Sequence, residues 1–188
     1  MSEDARQPDE ITEAPDIQTD EAPEIQLDEA QVAAFIAQLH TEQNLVAGIA
    51  AGLAGALVSA IAWAAITAST GYQIGYVAIA VGFVVGFAIR IAGKGMDPIF
   101  GYIGAGLALL GCAVGNLLSV SYFVADELDL SFADFLLNLN VPLVVEMMKA
   151  SFSPMDLLFY GLAIYAGYKF SFRQITQDEL NELAAASA

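Results

Sequence analysis

Two long apolar stretches dominate the pattern of the chain. Leu45 to Ile89 is 45 residues without an Asp, Glu, Lys or Arg, and Ile99 to Ala125 is another 27. A helix needs about 20 apolar residues to cross a bilayer, so the first stretch holds two crossings and the second holds one. Ser69-Thr70-Gly71-Tyr72-Gln73 is the turn that divides the first stretch. Helices are predicted over about 45–68, 74–92 and 99–124. A fourth is predicted over 155–172, where Leu157 to Tyr168 is free of charge. Its start is marked by Ser153 as N-cap, Pro154 at the first helical position and Asp156 closing a capping box. Its end carries Lys169, which can snorkel to an interface.

The polar flanks carry shorter helical patterns. In residues 28–43, Val32, Phe35, Ile36 and Leu39 make one apolar stripe behind an acidic start at Asp28 and Glu29. This reads as an amphipathic helix that lies in the membrane interface or packs on a neighbouring subunit. In residues 131–150, Ser131 with Asp134 reads as a capping box, and Phe132, Phe135, Leu136 and Leu139 form a second stripe that Pro142 ends. Two short interfacial helices fit this segment. A re-entrant hairpin carrying Asn138 and Asn140 into the membrane is the alternative. Residues 1–27 combine Pro8, Pro15 and Pro23 with many acids, the composition of a disordered tail, and contain an eight-residue near-repeat over 13–20 and 21–28. Residues 174–188 are assigned to a C-terminal segment on the cytoplasmic side.

The predicted fold class is therefore all-α and integral to the membrane. Four transmembrane helices occupy 44–173, with an acidic disordered N-terminal tail and a short external amphipathic helical pair. Composition agrees, with 57% apolar and only 15% charged residues, against about 45–50% and 25% in soluble domains. Residues 1–43 hold twelve acids and one base, so the tail argues against nucleic acid and anionic headgroups; it reads as a solvated spacer or as a docking strip for a basic cytoplasmic protein partner. Beyond the tail the bases are Arg90, Lys94, Lys149, Lys169 and Arg173. Four crossings with both termini in the cytoplasm put all but Lys149 inside, which predicts that orientation in a cell inner membrane.

Candidate functional residues fall into two groups. Gly48 and Gly52, Gly82 and Gly86, and Gly111 and Gly115 are glycine pairs four apart, which let helix backbones approach closely. They are candidates for packing within one subunit or for joining copies into an oligomer. Arg90, Asn116, Asn138 and Asn140 are the candidate polar sites in or near the membrane. Cys112 reads as a small packing residue, Trp63 as a packing or interface anchor, and His40 as a polar-face residue. One cysteine excludes an internal disulfide, and no metal, cofactor or catalytic pattern stands out, so no enzyme is expected.

Gly71-Tyr72-Gln73-Ile74-Gly75-Tyr76-Val77-Ala78, followed by Val81-Gly82-Phe83-Val84-Val85-Gly86 and Arg90, resembles a set of uncharacterised bacterial multi-pass membrane proteins. In that set a Gly-Tyr-x-Ile-Gly-aromatic turn joins two glycine-rich helices. The resemblance covers about residues 44–125 and implies a bacterial inner-membrane location but no activity. The expected role is a structural or accessory subunit, with a homo-oligomeric channel or small-solute transporter as the alternative.

Overall fold

The computed structural model of the protein describes residues 29–187, so the tail expected over 1–27 lies outside the described residues. Eight helices and no strand occur among them: α1 Glu29–Thr41, α2 Leu45–Thr70, α3 Val77–Gly93, α4 Pro98–Glu127, α5 Phe132–Leu137, α6 Val141–Ser151, α7 Pro154–Phe170 and α8 Gln177–Ser187. The all-α class stands. Two of these helices, α2 and α4, are long and apolar enough to cross a membrane by length and composition; α3 and α7 have 17 residues each.

The four central helices pack as a bundle in which α3 and α4 touch each other and both flank α2 and α7, while α2 and α7 lie on opposite sides. What is inside explains the arrangement. The buried face of α2 is Gly48, Gly52, Ala56, Ser59, Ala60, Trp63 and Thr67, and that of α7 is Ala163, Ala166 and Gly167. Small side chains bring backbones together, and the contacts this allows hold helices where no hydrophobic drive exists. Large apolar side chains point outward instead, among them Leu53, Leu57, Val58 and Ile61 on α2, Phe83, Val84 and Ile91 on α3, and Leu157, Leu158 and Leu162 on α7. Only about a third of the apolar stretch of α2, and slightly more of that of α4, is buried, whereas the core helix of a soluble protein is mostly buried. Trp63, Val81, Val85, Ile89 and Phe100 are the large residues inside, but many other large apolar side chains face out, which is unusual for a soluble bundle.

Boundaries shift where tertiary contacts intervene. Helix α2 ends at Gly71, whose φ of 72° suits glycine and whose N–H returns to the Thr67 carbonyl at 2.9 Å. Helix α3 starts at Val77 rather than 74, because the turn before it lies against α7: a Cβ on Gly75 would come 2.9 Å from the Phe159 ring. Helix α4 runs three residues past 124, and α5 and α6 pack on that overhang, joining Phe135 and Met147 to Ala125 in a small apolar cluster. The segment after α4 is thus a helix pair seated on α4. The expected capping box at its start is not made: Ser131 is the N-cap of α5 but makes no side-chain capping bond. The Asp156 arm of the α7 box is made, its carboxylate accepting from the Ser153 N–H at 2.8 Å. Helix α1 packs against α8, a partner unforeseen in the sequence, with Leu39 buried while Ile36 of the expected stripe stays exposed.

Candidate functional site

The glycine faces are occupied by the chain itself. A Cβ on Gly82 would stand 2.8 Å from the Ala163 Cα on α7, and one on Gly86 would stand 2.9 Å from the Phe170 Cβ. Gly111 faces Ala56 and Val81, Gly115 lies under the Trp63 ring, and Gly52 receives Ile89 and Leu107. Gly48 and Gly93 meet at the edge of the Phe100 ring. Gly104 and Gly167 form a further crossing that the four-residue spacing rule did not single out, each within 3.0 Å of where the other's Cβ would be. A homo-oligomer would have to use other faces.

Two polar centres sit at opposite ends of the bundle. At the end that carries α5 and α6, Asn116 is 1% exposed on α4 and its Oδ1 accepts from Gln73 Nε2, which reaches in from the α2–α3 turn. The Tyr160 side chain of α7 lies near Asn116. The Asn116 Nδ2 and the Tyr160 hydroxyl are both buried without a hydrogen-bond partner. Both stand apart from the general rule that buried polar groups are paired in a low-dielectric interior. One turn below, Cys112 is fully buried with its thiol 3.7 Å from the Ala78 carbonyl. Thr67 and Ser119 pair nearby at 3.2 Å, and the Ser119 hydroxyl returns to the Gly115 carbonyl.

At the other end the α1–α2 turn and α8 meet the bases. The Arg173 guanidinium donates to Glu42 at 2.8 Å and to Glu179 at 2.5 Å, while its backbone N–H reaches the Gly95 carbonyl at 2.8 Å. One residue therefore ties the α1–α2 turn, the α3–α4 linker and α8 together. Lys94 approaches Glu42 at 3.6 Å, and Arg90 donates to Gln174 at 2.9 Å. Gln43 accepts from the N–H groups of Met96 and Asp97, and His40 lies 3.6 Å from Asp97. The Glu179 carboxyl is held down to about 2 by the Thr176 backbone N–H and then by Arg173, and Glu42 is lowered chiefly by its bond from Arg173.

The remaining sequence candidates have local partners. Asn140 caps α6, its Oδ1 accepting from the Leu143 N–H at 2.9 Å, and Asn138 at the end of α5 donates to the Asp134 carbonyl at 2.7 Å. Both are exposed helix-end residues, and the hairpin alternative gains nothing from them. Gln73, Tyr160, Glu42 and Glu179 escaped the sequence reading. Gln73 alone carried a signal, as a long amide in a turn between two charge-free helices. No group of side chains suited to a metal ion occurs among the described residues. No family model, curated protein or solved structure matches the chain.

Proposed function

We propose that the chain crosses a membrane four times and serves there as a structural or accessory subunit. The observation that carries this is the close approach of glycine backbones across α2, α3, α4 and α7, which fills the interior with the chain's own atoms. Helices α3 and α7 are about 26 Å long, and an apolar outer surface continues from α2 and α4 across both. With the turns that flank them they match a hydrocarbon core of about 30 Å.

In this reading the α1–α8 end faces the cytoplasm of a bacterial cell and the α5–α6 end faces outward, because Arg90, Lys94 and Arg173 gather at the α1–α8 end. The acidic tail then reaches a basic cytoplasmic protein from the platform made by α1 and α8. Topology is checked by single cysteines in a Cys112→Ser background. An impermeant reagent added to intact cells is expected to label Glu127→Cys but neither Glu10→Cys nor Glu182→Cys. Labelling at 182 would remove the fourth crossing. Crosslinking in native membranes, with and without residues 1–27, is expected to capture a partner only with the tail, while the melting temperature stays unchanged.

A second reading, conduction of a small polar solute, draws support from the buried Gln73–Asn116–Tyr160 group. Flux in liposomes that is abolished by Asn116→Ala with the fold intact would place that reading first.

A further inference from the structure

We propose that Gln73 is a polar plug that closes one end of the bundle over Asn116 and Cys112. The proposal rests on the four-crossing reading only for which side of the membrane the plug faces.

Three observations meet at this place. Gln73 is an exposed residue of an exposed turn, yet its amide reaches inward to bond a side chain that is 1% exposed. A glutamine at a turn has free access to solvent, so an inward course needs a compensating bond, and Asn116 supplies it. Second, Asn116 and Tyr160 are buried polar groups on two different helices, and Gln73 adds the turn between two others. The three side chains link α4, α7 and the α2–α3 connection at one level of the bundle. Third, the group below the plug is Cys112, on the same face of α4 and fully buried. Helix α4 presents Cys112, Asn116 and Ser119 along one inward stripe, so removal of the amide above opens this stripe first.

The turn has the build of a lid. Gly71 at φ 72° allows the chain to reverse, and Gly75 lets it lie flat against Phe159 of α7. Tyr72 and Tyr76, 74% and 63% exposed, stand outside it at the level expected of an interfacial aromatic pair. Gln73 is thus the residue of the turn that points into the bundle while its aromatic neighbours hold the turn at the surface.

Cys112, the lone cysteine, is a native reporter for the test. The full chain in lipid nanodiscs, where both ends are open to water, is treated with a small hydrophilic thiol reagent. Wild-type Cys112 is expected to react slowly. Gln73→Ala is expected to raise its rate by about tenfold or more, and Gln73→Met, which keeps the length but not the bond, by less. Equal rates in wild type and Gln73→Ala overturn the plug. A second chain, Val85→Cys with Cys112→Ser, places a thiol at a fully buried site on α3. If Gln73→Ala makes that thiol equally reactive, the bundle has opened as a whole and the plug is overturned in that case too. Because nanodiscs expose both ends, a wrong orientation leaves these results unchanged and shows only in the intact-cell labelling of Glu127→Cys.

Discussion

Replacing Gly82 with leucine is expected to abolish the native bundle while leaving the polypeptide in the membrane. Even one carbon at this position would stand 2.8 Å from the Ala163 Cα and 2.9 Å from its carbonyl carbon. Those are backbone atoms of α7, which cannot rotate aside as a side chain can. Overpacking a tight core costs about 1–3 kcal/mol and sometimes more, and a leucine against backbone belongs at the upper end or beyond. In lipid the damage spreads, because van der Waals contact at such crossings replaces the hydrophobic drive of water-soluble folding. The purified variant is expected to elute broadly in mild detergent and to lose its cooperative melting transition. Gly106→Ala and Gly161→Ala are the contrast: nothing lies within 4 Å of a Cβ at either site. Both positions are helical, where alanine is favoured over glycine by about 0.8–1 kcal/mol, so melting temperature should hold or rise. A monodisperse Gly82→Leu protein with unchanged melting would show that α3 and α7 do not meet at this residue. A smaller but folded species would show that the groove joins two copies.

The contrast between Gly82 and Gly106 also shows how far the sequence could be read. Helix positions were legible because charge-free runs and turn residues mark them, and the start of α7 was legible from Ser153, Pro154 and Asp156. Glycine pairs four apart marked Gly82 and Gly86 as close-approach residues, since a helix places such positions on one face. The pattern could not say what fills each face, because the contact to Ala163 is 81 residues away in the chain. The Gly104–Gly167 crossing was missed for a related reason: its two glycines lie on different helices and form no local motif. The polar group around Asn116 illustrates the same limit. Asn116 was singled out as an isolated amide in an apolar helix, but Gln73 looked like an ordinary turn residue and nothing set Tyr160 apart. Only the packing of α7 beside α4 brings the three together. Glu42 and Glu179 were invisible as a pair because each sits in a segment rich in acids, and it is Arg173 that distinguishes them.

Removing the Arg173 guanidinium is expected to release α1 and α8 from each other while the four central helices stay folded. The guanidinium bridges Glu42 and Glu179 and is only 15% exposed, so both carboxylates lose a charge-assisted bond together. Arg173→Met keeps the apolar stem, which separates loss of charge from loss of packing. Hydrogen exchange is the measurement. In the variant, amides of α1 and α8 are expected to exchange fast at neutral pH, and those of α2 to α4 to stay protected. Acid should reproduce the effect in the wild type. Both carboxyls are depressed in the folded state, so their contribution is fully present above the ordinary value of 4.5 and fades as pH falls toward the folded value, about 2 for Glu179. Protection of α1 and α8 should therefore hold at neutral pH and decline between 4.5 and about 2. Arg173→Met should shrink this acid step in α1 and α8 to what the Thr176 bonds to Glu179 contribute at the start of α8. Arg173→Lys should keep part of the protection, since an ammonium can meet one carboxylate but lacks the fork that reaches both. Equal protection of α1 and α8 in wild type and Arg173→Met would show that other contacts between the two helices hold the pair, with the ion pairs adding nothing.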